Sequence, residues 1–177
     1  MRLSCGSRGL AFFAVILLSF LSGGVFGGAV YCLSSGSALP ATFELTASGF
    51  VPIIIGTLLF PLAVFFLGFS ASGIMLIPVI CVIRGFAAAL CACVILGASG
   101  LESVYWIYFA GSSAACCIFI VFAFFALRSS SCIIQNLLIP EARSFPGFGE
   151  YIKSSALLFA IIIAIGALEF FSVPMII

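Results

Sequence analysis

Apolar residues along this chain neither alternate with polar ones nor keep to one helical face; they run on without interruption. Because a helix rises about 1.5 Å per residue, about 20 consecutive apolar residues cross the hydrocarbon core of a bilayer. Five stretches reach that length: 10–33, 50–69, 73–97, 103–127 and 154–174. A closed β-barrel, the other architecture that can span lipid, would show apolar and polar positions in alternation. The pattern predicts an all-α, polytopic membrane protein, with residues 1–177 forming a single integral membrane domain of about five transmembrane helices. The segments between the runs are 34–49, 70–72, 98–102 and 128–153, which leaves no room for a soluble catalytic domain.

Composition fits that solvent. Hydrophobic residues make up 65% of the chain and mean hydropathy is +1.47, more apolar surface than a water-soluble domain can cover. Charge then sets the orientation, because cytoplasmic loops carry the excess of Lys and Arg. Arg2 and Arg8 precede the first run, and Arg128, Arg143 and Lys153 fall in the fourth connection. A path with the N-terminus cytoplasmic and the C-terminus outside puts every basic residue except Arg84 on the inner side. Tyr31, Tyr105, Trp106 and Tyr108 then lie at outer helix ends and Tyr151 at an inner one, as expected of an aromatic belt. Arg2, Arg8 and the small residues Gly27, Gly28 and Ala29 could also describe a signal peptide, but the apolar run is longer than a signal core and continues to Leu33.

Within the first run, Gly23/Gly27 and Gly24/Gly28 form two overlapping pairs of small residues four apart, a spacing that lets helix backbones approach closely in lipid. Packing inside the bundle is the expected use, and a homo-oligomer face the alternative. Gly85/Ala89 in the third run and Gly111/Ala115 in the fourth repeat the spacing. Pro52, Pro61 and Pro78 lie inside the second and third runs, where each removes a backbone donor. With Gly73 before it and Arg84-Gly85 after it, Pro78 makes the third helix a candidate for a kink, or for a broken or re-entrant element near Pro78 and Arg84.

Arg84 is the main functional clue. A cation at the centre of a spanning helix costs roughly 2.5–3.5 kcal/mol on insertion scales, so it needs a partner, water or a way to the interface. Glu169, in the last run, is the candidate partner: the two could form an ion pair or share a polar pocket as a structural lock. Alternatively Glu169 reaches the outer headgroups and Arg84 bonds backbone carbonyls freed near Pro78.

Other chemistry is sparse. The sequence has no His and no Asp, and its eight cysteines lie mostly inside apolar runs without CxxC spacing, so neither a metal site nor a cofactor is expected. No paired carboxylates, activated serine or Gly-rich phosphate loop is present, which argues against an enzyme. A net charge of +1 with scattered basic residues gives no nucleic-acid footprint. In the fourth connection, Cys132, Ile133, Ile134, Leu137 and Leu138 recur at helical spacing, predicting a segment lying on the inner membrane surface.

The sequence Leu67-Gly68-Phe69-Ser70-Ala71-Ser72-Gly73, then Ile77-Pro78, Ile83-Arg84-Gly85-Phe86 and, near the end, Gly166-Ala167-Leu168-Glu169-Phe170-Phe171-Ser172-Val173-Pro174, resembles the stage II sporulation protein M family. That resemblance implies a multi-pass protein of the bacterial cytoplasmic membrane without chemistry of its own, acting with a peptidoglycan-degrading machine of spore-formers. The expected partners are the lipid bilayer and other envelope membrane proteins, peptidoglycan hydrolases among them. Two functions follow as expectations: a non-enzymatic scaffold or localisation factor for an envelope complex, or a small permease or transporter subunit in which Arg84 lines a path for an anion or other small solute.

Overall fold

The computed structural model describes the backbone of residues 4–34, 47–97, 102–138 and 148–172, with side chains placed for 9–34, 58–93, 110–135, 137, 149 and 151–165. All of it is helical except the turn at 69–72. The helices are α1 (Ser4–Ser34), α2 (Ala47–Gly68), α3 (Gly73–Gly97), α4 (Glu102–Leu138) and α5 (Phe148–Ser172). Three stretches, Gly9–Ser34, Gly73–Cys93 and Ala110–Gln135, are long and apolar enough to cross a membrane, and Leu58–Gly68 and Tyr151–Ile165 are shorter apolar stretches.

The order in space follows from which helices touch. α4 packs on each of the other four, so it is the common wall of the bundle. The α1–α3 interface is the most extensive, and α5 sits against α4 and α2. Ile16, Val64, Ile77, Phe119, Phe122 and Leu127, from α1 to α4, are at most 2% exposed and form the core. The outward faces are as apolar as this core: Leu33 is 84% exposed, Met75 80% and Val25 74%, a surface suited to lipid rather than water.

Glycine explains the α1–α3 interface. A Cβ on Gly23 would collide with the Val82 carbonyl, one on Gly27 would lie 2.6 Å from the Phe86 carbonyl oxygen, and one on Gly85 would strike the Phe20 carbonyl. Successive contacts advance along both helices together, so α1 and α3 run parallel. Only one of the two predicted pairs serves this crossing. Gly24 grazes it, with Gly85 carbonyl oxygen 4.0 Å from its would-be Cβ, and a Cβ on Gly28 would meet nothing within 4 Å.

Two expectations need correction. Of the two forms open to α3, a kink or a break near Pro78 and Arg84, the break is not seen: one continuous helix runs through both residues to Gly97. Pro78 stands close to the start of the helix, where its missing N–H removes one bond, to Ile74, and leaves the rest of the ladder intact. The surface segment expected at 132–138 is the end of α4, which continues from Leu127 to Leu138 for 37 residues in all. No residue between Leu127 and Leu138 breaks a helix, and Ser130 and Ser131 are buried, so packing carries the helix past the charge at Arg128.

The packing makes a direct prediction. Gly23→Leu or Gly85→Leu should force the two backbones apart and lower stability by about 1–3 kcal/mol, the range for overpacked cores, while Gly28→Leu should be near neutral. Thermal unfolding of the purified protein in one detergent measures all three.

Candidate functional site

Two places in the bundle concentrate polar groups. The first is the α2–α3 turn. The last turn of α2 tightens, with Phe69 N–H donating to the Phe66 carbonyl at 3.1 Å and Ser70 N–H to the Leu67 carbonyl at 3.0 Å. Carbonyls at such a helix end need donors from elsewhere. The Tyr151 hydroxyl on α5 donates to the Phe65 carbonyl at 3.1 Å, and Ser130 Oγ on α4 donates to the Ser70 carbonyl at 2.7 Å. The Ser70 and Ser72 hydroxyls bond one another at 2.7 Å, and Ser72 C=O accepts from the N–H groups of Met75 and Leu76, opening α3.

Small residues allow this closure. A Cβ on Gly68 would enter the Tyr151 ring, and one on Gly73 would strike the Leu67 carbonyl and come within 2.8 Å of Ser130 Oγ. Gly73, singled out from sequence as a packing or kink residue, lets α4 approach the start of α3. The Tyr151 ring stacks on Phe65 at 6.1 Å between centroids and meets Phe69 edge-on at 5.2 Å. The turn is therefore held by two other helices through both hydrogen bonds and aromatic contact. Sequence reading had put Tyr151 at an inner helix end but missed its bond, and missed Ser130 altogether.

The second place is Arg84. Its guanidinium carbon lies 5.7 Å from the centroid of the Phe60 ring on α2, within cation–π range. It stands about 16 Å along α3 from Gly73, the middle of a span. Residues seven apart share a helix face, so Arg84 continues the inward column of Ile77, which is fully buried, as is Cys81 three residues before it. Arg84 itself is half-buried.

Glu169 lies in α5, and its side chain is outside the described residues, so the proposed pairing is outside them too. The backbone still fixes its depth: about 27 Å along α5 from Tyr151, hence about 10 Å farther from the turn than Arg84. α5 packs on α4 and α2, whereas α3 packs on α1, α4 and α2. Among the described residues no group of three or more His, Cys, Asp or Glu could hold a metal ion.

Comparison of the chain with protein-family models, with curated proteins and with solved structures finds no match. The site must be read from its own geometry. Ser130→Ala and Tyr151→Phe should each lower stability by about 0.5–1.5 kcal/mol, the net worth of one hydrogen bond. Ser113→Ala should change little, because that exposed hydroxyl bonds only the Ala110 carbonyl of its own helix. Denaturant titration of the three variants in micelles checks the ranking.

Proposed function

We propose that this chain is a five-span protein of the bacterial cytoplasmic membrane acting as a non-enzymatic scaffold or localisation factor for an envelope complex that remodels peptidoglycan, as the resemblance to the stage II sporulation protein M family implies. The observation that carries the reading is how the bundle uses its hydroxyls. Ser130 and Tyr151 are directed at backbone carbonyls of 65–70, so the stretch bearing the family-like sequence becomes a rigid corner shared by four helices. A fixed corner suits holding partners in place. Peptidoglycan hydrolases and other envelope membrane proteins are the partners this reading names.

The orientation is supported by where the helix ends meet. The bond from Ser130 and the contacts of Tyr151 bring the end of α4 and the start of α5 to the α2–α3 turn. The parallel crossing of α1 and α3 brings Arg8 to the depth of Gly73, since Phe20 is level with Gly85. Arg128 and Lys153, both exposed, stand at this same end. The end rich in Arg and Lys is then cytoplasmic, and the C-terminus of α5 lies outside. In single-cysteine variants of intact cells, a membrane-impermeant maleimide should label Cys32, exposed near the far end of α1, and should reach exposed Cys132 only after permeabilisation. The reverse pattern would invert the topology.

Affinity isolation from native membranes in mild detergent tests the scaffold role, comparing wild type with Ser130→Ala and Arg84→Ala at matched expression. Wall hydrolases or other envelope proteins should accompany the wild type and be depleted with a variant that loosens the bundle. Recovery of an ATPase instead would favour the second reading, a small permease or transporter subunit. The observation on that side is the half-buried cation at mid-depth on the inward face of α3.

A further inference from the structure

We propose that Ser155 positions Tyr151: its hydroxyl donates to Tyr151 Oη, which donates in turn to the Phe65 carbonyl, so that a chain of two hydroxyls joins α5 to the end of α2. The inference concerns how the corner is fastened and is independent of any scaffold role.

The first observation is an orphaned group. Among the described residues, Ser155 Oγ is a buried side-chain polar atom without a hydrogen-bond partner, on a residue only 1% exposed. An unpaired hydroxyl in such a place forfeits its hydration with nothing in return, and buried hydroxyls are for the most part bonded. The other two buried serines follow that rule: Ser130 donates to the Ser70 carbonyl and Ser131 to the Arg128 carbonyl. Elsewhere in these helices a serine finds its acceptor in its own backbone, as Ser22, Ser34, Ser113 and Ser131 do with the carbonyl three residues back. Ser155 makes no such bond, which leaves its hydroxyl to bond another side chain.

The second observation is what lies beside it. Residues four apart share a helix face, and each Cβ leans toward the N-terminal end of its helix, which inclines Ser155 toward Tyr151. The Tyr151 hydroxyl is close enough to interact, without the alignment of a formed bond. The tyrosine is not the partner that moves. Its ring is stacked on Phe65, meets Phe69 edge-on and fills the notch at Gly68, where any Cβ would enter the ring. The serine needs only to turn about one torsion between staggered positions.

Proton count sets the direction of the chain. Tyr151 Oη gives its one proton to the Phe65 carbonyl at 3.1 Å and keeps lone pairs. It is therefore the acceptor toward Ser155, and Ser155 the donor. A hydroxyl that accepts one bond becomes a stronger donor in the next, so Ser155 reinforces the bond that ties α5 to α2. An alanine at position 155 would leave the ring in its slot and its hydroxyl less firmly aimed.

The test uses the full chain, labelled with 13Cζ-tyrosine, in detergent micelles. The chain has four tyrosines, and the Tyr151 resonance is assigned by its loss in Tyr151→Phe. Ser155→Ala should shift that resonance, because Cζ carries the oxygen that loses a donor, whereas Ser154→Ala, at the half-buried adjacent position, should leave it in place. Denaturant titration then completes a double-mutant cycle. With Tyr151 present, Ser155→Ala should lower the folding equilibrium constant roughly two- to tenfold, the worth of one hydrogen bond. In Tyr151→Phe the same change should be neutral or raise it, since the serine has already lost its acceptor. The sign is decisive: replacing a hydroxyl that has no partner stabilises, so a Ser155→Ala variant as stable as the wild type, or more so, overturns the proposal. An equal loss in both backgrounds overturns it too, by placing the bond on a carbonyl of α5, as does a Tyr151 resonance that Ser155→Ala leaves unmoved. None of these readouts involves a partner protein, so failure here leaves the scaffold reading standing, and failure of that reading leaves this one.

Discussion

Lipid tails are as apolar as leucine, so burying a leucine between two spanning helices gains almost nothing over leaving it in the bilayer. Association then depends on how closely two backbones can approach, because dispersion falls off steeply with distance and a gap of an ångström forfeits a large share of each contact. The crossing of α1 and α3 is built on this limit. Gly23, Gly27 and Gly85 bring main-chain atoms into contact where any side chain would intrude. That crossing also fixes register. Once Phe20 is level with Gly85, the depth of every residue on α1 follows, including Arg8 beside the start of α3. A looser crossing of larger side chains would leave the sliding of the two helices weakly determined.

The second constraint is that helix ends inside or beside a bilayer still need hydrogen-bond donors for their carbonyls. Within the α2–α3 turn the N–H groups of Phe69, Ser70 and Gly73 bond the Phe66, Leu67 and Ser70 carbonyls, and α5 and α4 add donors to the carbonyls of Phe65 and Ser70. This explains why α4 is so long. Its terminal turns are held by the contact of Ser130 with the turn and by the burial of Ser131, whose hydroxyl closes on the Arg128 carbonyl at 2.7 Å. The bonds from Ser130 and Tyr151 gather the ends of four helices at the turn.

How much of this could be read in the sequence depends on whether a feature leaves a periodic trace. The apolar runs did, and the helices occupy the predicted stretches; the Gly23/Gly27 and Gly85/Ala89 spacing did, and it marks the principal crossing. Which of the two overlapping pairs on α1 would face α3 could not be read, because Gly24/Gly28 has the same spacing and only the rotation of the helix distinguishes them. Ser130 was invisible for a different reason: one serine among Ser129, Ser130 and Ser131 carries no signal of the turn it meets 60 residues away. The end of α4 was misplaced because hydropathy falls at Arg128, whereas a helix continues as long as its backbone bonds and packing permit. Whether Pro78 kinks or breaks α3 could not be read either, because a proline inside an apolar run removes one backbone bond in both cases and only the packing around it decides whether the helix continues.

The position of Arg84 follows from both constraints together. Inside the dry core an unpaired guanidinium would carry the full desolvation penalty; on the outward face it would meet hydrocarbon. One turn beyond Cys81 it is half-buried and lies against the Phe60 ring. The hydrogen bonds that fasten the bundle lie at the turn, and the glycine crossing leaves α3 flanked on one side by backbone rather than bulky side chains. The Phe60 ring lies 5.7 Å from the guanidinium carbon, within cation–π range. A fastened corner at one end and a half-buried cation at mid-depth are therefore compatible features of one fold: the hydroxyl bonds and the glycine crossing fix the helices that carry Phe60 and Arg84.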